Sequence, residues 1–386
     1  MFKKLFSILL ISLFIPIFTA CAYTPKQNDM SLDQKIGQMI CLDFRFWNDG
    51  NSQKPVTEIN DEIRQVIAKY HIGCVILFAQ NFVNKEQAAK LISDLQKAAI
   101  ESGNPSLIIA VDQEGGRVER FSFDRERLKN NADLKTSEEA FEKGKFIAEE
   151  LKKLGINCNL APVVDINSNP LNPVINVRSF GNNADIVSEF GKKFLDGLHS
   201  QNIMGVAKHF PGHGDTSVDS HLELPKVNKT LEELEALEFK PFKTLIDSGV
   251  DMVMSAHIEL PQVEPKKAIS KKDGAQICIP ATLSKVILKN ILRDKLGFNG
   301  VIISDAMNMK AISEYFGEYE SVKMAIKAGI DILLMPVILR SKDDFVKLER
   351  LINHIKDSIN NGEIPKENIN KSVKRILKLK EKYCKV

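Results

Sequence analysis

Apolar residues along this chain fall into two patterns: short, nearly continuous runs, and longer stretches in which they recur every three or four positions. The runs are MICLDF (39–44), CVILF (74–78), LIIAVD (107–112), NLAPVVDI (159–166), GVAKHF (205–210), DMVMSAH (251–257), GVIISDA (300–306) and DILLMPV (331–337). Runs of this length predict strands buried on both faces. Between them lie helical patterns such as NKEQAAKLISDLQKAAIES, SEEAFEKGKFIAEELKKLGI and TLSKVILKNILRDKLGF. Ser31 and Gln34 have capping-box spacing at the first helix, and Gly155, Gly249 and Gly329 stand where a helix end needs a left-handed residue. Eight buried strands, each followed by a helix, predict an α/β fold, a (β/α)8 TIM barrel forming one catalytic domain over residues 31–386. A doubly wound open sheet uses the same elements and is the alternative.

The start of the chain reads differently. MFKKLFSILLISLFIPIFTA (1–20) places Lys3 and Lys4 before an apolar run that ends in small residues, the pattern of a secretory signal. Pro16 interrupts the run and no basic stop follows it, which argues against a mature transmembrane helix. FTAC is similar to a bacterial lipobox, which would make Cys21 the lipidated residue and 21–30 a polar tether. The expected location is therefore the cell envelope, on its periplasmic or extracellular face, with the membrane as partner through the lipid; a plain secretory signal with a coincidental Cys is the competing reading.

The 386 residues carry 53 basic and 50 acidic side chains, a net charge of +3 that offers no field for nucleic acid. Cys41, Cys74, Cys158, Cys278 and Cys384 are scattered without CxxC pairing and form neither a disulfide framework nor a zinc site; the first three sit in apolar runs as buried filler.

In a barrel of this kind the site lies at the C-terminal ends of the strands. Asp112, Asp165, Lys208 with His209, His257 and Asp305 stand at or near the ends of strands three to seven, so five consecutive strands bring polar groups to one mouth. KHFPGHGDTSVDSHLELP, Lys208 to Pro225, follows strand five and holds three of the seven histidines. Pro211, Gly212 and Gly214 keep it from being a helix. Asp219 and His221 flank Ser220 and can form a general acid/base dyad, the carboxylate fixing the imidazole tautomer. A metal held by His209, His213, Asp215, Asp219 and His221, or a solvated loop, are the other readings. Asp305 in VIISDAMNM is either a nucleophile or the N-cap of the following helix. VDQEGGRVERF can aim Asp112 and Arg120 into the mouth, where a carboxylate and a guanidinium bind vicinal sugar hydroxyls; a plain Gly-Gly turn is the alternative.

Together KHFPGHGDTSVDSH, VDQEGGRV, APVVDIN, NVRSFG and SDAMNM resemble the motifs of glycoside hydrolase family 3, in particular its bacterial β-N-acetylglucosaminidases. The resemblance runs from about Lys35 past AGIDILLMP. It implies a TIM barrel, an exo-acting retaining β-N-acetylhexosaminidase, and Asp305 as the nucleophile. It assigns His221 with Asp219 as acid/base and Asp112, Arg120, Arg178, Lys208 and His209 to the sugar, with His257 and Asp165 supporting the pocket. No metal or other cofactor is implied, and the expected partner is a GlcNAc-containing glycan or muropeptide met by a monomer. The chain departs from larger relatives in lacking a second α/β domain after the barrel, so the leaving-group subsite is expected from barrel loops alone. An N-acetylglucosaminide phosphorylase and a non-catalytic sugar-binding lipoprotein are the rival functions.

Overall fold

Each of the eight apolar runs contributes one strand to a single parallel sheet in the computed structural model, which describes residues 27–48, 50, 52–217 and 224–384. The strands are β1 Ile40–Asp43, β2 Cys74–Leu77, β3 Ile108–Val111, β4 Cys158–Asn159, β5 Met204–Phe210, β6 Met252–Ser255, β7 Val301–Ser304 and β8 Leu333–Leu334. Sequential strands are neighbours, β1 also pairs with β8 through Ile40 and Leu333, and a bridge between Ile303 and Ile332 joins β7 to the β8 run. The sheet thus closes on itself, and the open-sheet alternative fails because neither terminal strand is left as an edge.

Helices cover the outside by burying one stripe each. Lys85–Ile100 is typical: the Asn84 side chain accepts from Gln87 N–H at its start, Leu91, Ile92 and Leu95 face the barrel, and Lys90 meets Asp94 on the outer face. Each of those three aliphatic side chains contributes about 1.5–3 kcal/mol by burial, and Leu91→Ala would cost about 2–5 kcal/mol. Helices Ser137–Leu154 and Ala184–Ser200 touch backbone to backbone. A Cβ on Gly144 would stand 2.3 Å from the Phe194 carbonyl oxygen, and one on Gly197 2.4 Å from that of Phe141.

Several local readings need correction. The run 159–166 is a ladder strand only over Cys158–Asn159, because Pro162 has no N–H to donate. Its continuation still lies along β5, with Val164 N–H bonded to Lys208 O (2.8 Å) and Val206 N–H to Ala161 O (2.8 Å). The segment Val286–Lys295 winds as a π-helix rather than an α-helix. Two antiparallel hairpins, Phe46–Asn48 with Gln53–Pro55 and Lys267–Ile269 with Gln276–Cys278, escaped the pattern because their three-residue arms are largely exposed. The signal, Cys21 and most of the tether lie outside the described residues. The end of the tether packs on the fold: Gln27–Asp29 make a 3-10 turn bonded to Asn370, and Met30 is buried.

Candidate active site

The loop after β3 folds back because Gln113 holds both its ends. The buried Gln113 side chain donates to Phe121 O (2.8 Å) and accepts from Arg120 N–H (2.8 Å), while its own N–H is held by Asn159. Gly115 and Gly116 turn the chain at φ 83° and 62°, and a Cβ on either would strike Lys143 or Asn130. Arg120 is thereby returned beside the strand end, where its Nη2 donates to Asp112 Oδ2 at 2.9 Å.

Asp112 Oδ1 accepts from Lys208 Nζ at 2.8 Å, and the same ammonium lies 2.8 Å from Glu114 Oε1. Glu114 in turn receives a two-point fork from Arg178, Nε to Oε2 at 2.9 Å and Nη2 to Oε1 at 2.8 Å. Burial alone would raise both carboxyls, but the cations outweigh it. Lys208 and Arg120 hold Asp112 well below the usual range, and Arg178 and Lys208 bring Glu114 to about 2. By the same exchange the Lys208 and Arg178 pKa values are raised against the downward push of burial. Lys208 uses two of its three N–H donors in this network, leaving one for a ligand. Arg178 spends three of five, counting Nη1 to Val174 O at 3.3 Å. Its fork is therefore closed on Glu114, and only its remaining donors could serve the sugar-binding role that the resemblance gives it.

Consecutive residues of a strand point to opposite faces, yet Lys208 and His209 both join the site. The register of β5 against β6 slips between Ala207 and Phe210, which re-aims the pair. His209 Nδ1 lies 2.7 Å from Asp165 Oδ2, so Nδ1 carries the proton and Nε2, which bonds no described residue, is left for a ligand. Asp165 also accepts the His209 and His213 backbone N–H groups. Burial would raise its pKa, but His209 outweighs this and holds it below the ordinary value. His213 Nδ1 is 2.8 Å from the Thr216 hydroxyl, and burial together with His209 lowers its pKa to about 4.

The start of the loop after β5 is not solvated. Pro211 to Gly214 and Thr216 are buried, and a Cβ at Gly214 would stand 1.7 Å from Ile166 O. Past Leu224 the chain is caught again, Val227 N–H on Glu259 O and Glu259 N–H on Pro225 O. Asp219 and His221 lie between these anchors, outside the described residues. Among the described residues, no group of three His, Cys, Asp or Glu side chains is arranged to hold a metal ion.

Asp305 follows β7 with its N–H on Ser255 O (3.0 Å), and its Oδ1 accepts Ala306 N–H at 2.8 Å. It is not a helix cap, since the next helix, Lys310–Phe316, begins at Met309. His257, fully buried, steadies this strand end: Nε2 donates to Ala306 O at 3.0 Å and Nδ1 is 2.9 Å from Thr282 Oγ1. β7 and β3 are four strands apart in a ring of eight, so Asp305 faces the Asp112 network across the mouth.

Glu114 and Gln113 were missed by the sequence reading, although Glu114 is two residues past Asp112 and shares its side of an extended chain. Asp43, at the end of β1, was missed as well. It pairs with Arg340 at 3.0 Å, and the Arg45 guanidinium lies 3.5 Å over the Phe78 ring beside it.

Residues 31–379 match the glycosyl hydrolase family 3 N-terminal domain. The chain is similar to beta-hexosaminidase A of Pseudoalteromonas piscicida, 36% identical over 382 residues, covering 94% of this chain and 63% of that protein. A beta-hexosaminidase of Tolumonas auensis is 35% identical over 283 residues, covering 72% of this chain and 79% of the relative. A solved glycoside hydrolase family 3 beta-N-acetylglucosaminidase from Paenibacillus superposes with a TM-score of 0.81 at 37% identity, covering 92% of this chain and 62% of that one.

Proposed function

This chain belongs to glycosyl hydrolase family 3, and from that premise we propose that it is an exo-acting, retaining β-N-acetylglucosaminidase. It removes terminal N-acetylglucosamine, with peptidoglycan fragments as the natural substrate class. The observation that carries this reading is the opposition of Asp305 on β7 to the Asp112, Arg120, Lys208 and His209 cluster on the β3 and β5 side. A pyranose ring bridging the mouth has its anomeric carbon at Asp305 and its far hydroxyls on the cluster. The names of the relatives, beta-hexosaminidase and beta-N-acetylglucosaminidase, support the same sugar.

In the first step a carboxylate oxygen of Asp305 attacks the anomeric carbon as the glycosidic bond breaks, and His221 gives its proton to the departing oxygen. The result is a glycosyl ester on Asp305. In the second step the imidazole, neutral after the first, takes a proton from water, which displaces Asp305 from the opposite face; two inversions give net retention. Asp219 fixes the His221 tautomer. Asp112, already ionised and flanked by cations, accepts hydrogen bonds from sugar hydroxyls while Arg120 and the last N–H of Lys208 donate. The hydrogen bond from Ala306 N–H keeps Asp305 aimed, and His257 holds the Ala306 peptide in place.

The choice of peptidoglycan rests on reading residues 1–21 as an export signal with a lipobox, which would put the barrel in the cell envelope. The deciding experiment incubates the protein with GlcNAc-MurNAc-peptide and with chitobiose, in the presence and absence of phosphate and of a chelator. Free β-GlcNAc as first product, insensitive to both additions, supports the proposal. GlcNAc-1-phosphate identifies a phosphorylase, loss on chelation a metallohydrolase, and no turnover a sugar-binding protein.

A further inference from the structure

Toward the end of the barrel away from the mouth, Cys41 on β1 and Cys74 on β2 are register partners in the parallel ladder. Their sulfur atoms are 2.6 Å apart, and the two residues are 0% and 1% exposed. Paired neighbouring strands lie about 4.7–4.9 Å apart, inside the Cα separation of about 4.4–6.8 Å that a disulfide spans. Among the described residues the other thiols do not compete. Cys158 on β4 is separated from Cys74 by the whole of β3, so the gap is two strand spacings, or about 9.5 Å, and exceeds disulfide reach. Cys384 accepts the Asn157 amide at 3.3 Å, and Cys278 belongs to the hairpin after β6. Nothing in the proposed glycosidase mechanism uses the Cys41 and Cys74 pair.

We propose that Cys41 and Cys74 are a modification site, closed by thiol-disulfide exchange with a disulfide-bearing oxidant into a bond that staples β1 to β2. One thiol loses its proton, and its thiolate attacks a sulfur of the oxidant, expelling one thiolate and leaving a mixed disulfide. The second cysteine, deprotonated in turn, displaces the remaining half of the oxidant. Two electrons pass to the oxidant, which ends as two thiols after taking up the two protons. Burial, with Cys74 alongside, pushes the Cys41 thiol well above its ordinary pKa, so the folded and reduced barrel is a poor source of thiolate. Exchange therefore belongs to the chain before the barrel closes, and the finished fold seals the bond from reductants. An exported chain, as the leader suggests, folds where such oxidants are present. The bond would close a loop containing the hairpin after β1 and the helix Asp61–Lys69, and would brace the strand that carries Asp43 to the mouth.

The test is synthesis of the full chain in a cell-free reaction buffered with oxidised and reduced glutathione, so that folding and exchange occur together. Free thiols in the soluble product are then blocked in denaturant, and the chain is digested without reduction for mass spectrometry. The expected result is a Cys41 to Cys74 cross-linked peptide, lighter by two hydrogens than the sum of its halves and absent from Cys74→Ser. A melting temperature on the order of 5 °C or more above the same protein made with reductant should accompany it. Blocked, uncoupled thiols at both positions in folded product, or Cys41 joined to any other cysteine, would overturn the proposal.

Discussion

Arg178 grips Glu114 through two parallel hydrogen bonds of 2.9 and 2.8 Å, with the carboxylate almost wholly out of water. Through Lys208 this clasp is continuous with Asp112, so the charge on Glu114 sets where the sugar-facing ammonium stands. Glu114→Gln leaves Lys208 and Arg178 with one charge fewer to share. A buried hydrogen bond to a charged group is worth about 1.5–3 kcal/mol, so KM for an aryl N-acetylglucosaminide should rise about tenfold or more, with a lower melting temperature. An unchanged KM in steady-state kinetics would show that the clasp does not position the cluster.

Acid should destabilise the fold in two windows. His213 takes a proton near 4 when folded and near 6.5 when unfolded, so between those values the unfolded chain binds more protons and stability falls as pH drops. The full cost is on the order of 3 kcal/mol. Glu114 is depressed to about 2, so its contribution is complete above its unfolded value of about 4.3 and is lost on the way down to about 2. Thermal melts from pH 7 to pH 3 should show a continuous decline, and His213→Asn should flatten its upper part, between about 6.5 and 4. An unaltered slope in that variant would remove His213 from the account.

Asp305→Ala should abolish turnover and leave the protein folded, because it removes the carboxylate that forms the glycosyl intermediate, and its hydrogen bond to Ala306 N–H joins adjacent residues. A fluorinated N-acetylglucosaminyl donor should label wild type on Asp305 alone. A label on another carboxylate would transfer the nucleophile's role to that residue.

Replacing the acid should discriminate between leaving groups. His221→Ala is expected to slow a natural disaccharide on the order of a hundredfold or more, while an activated aryl glycoside loses much less in the glycosylation step. Asp219→Ala should give the same pattern more mildly, whereas Lys208→Ala and His209→Ala should weaken both substrates alike. Equal losses for both substrates in the His221 variant, with glycosylation rate-limiting, would mean that another group supplies the proton.

For the anchor, the expected behaviour of Cys21→Ser is release from the membrane fraction with specific activity unchanged, since position 21 precedes the family domain, which begins at residue 31. Fractionation settles the question, and wild type found wholly in the soluble fraction would remove the lipid.

The barrel was legible in the sequence because its signal is local: an apolar run such as CVILF has to be buried on both faces wherever it sits, and Gly155, in the left-handed region at φ 84°, ends its helix as that position required. Strand-end placement was enough to nominate Asp112, Lys208, His209 and Asp305, because position along a strand decides which end of the barrel a residue occupies. Exact ladder lengths were not legible. Pro162 cut β4 to two residues, and the exposed hairpins carry too little apolar pattern to be seen.

By itself, then, the sequence determined the fold class, the mouth and the residue types gathered there, since hydrophobic periodicity and chain order depend on nothing distant. Only the tertiary structure decided how those residues share charge. The fork of Arg178 on Glu114 spans 64 positions, and Lys208 reaches Asp112 across 96. Hydrogen bonds of that kind are set by closure of the barrel, which brings side-chain donors and acceptors from separate strand ends and loops within about 3 Å of one another without leaving any periodic trace along the chain. The meeting of Cys41 with Cys74 has the same origin, because ladder register in a parallel sheet is fixed by how the intervening helix packs and not by the spacing between the two cysteines.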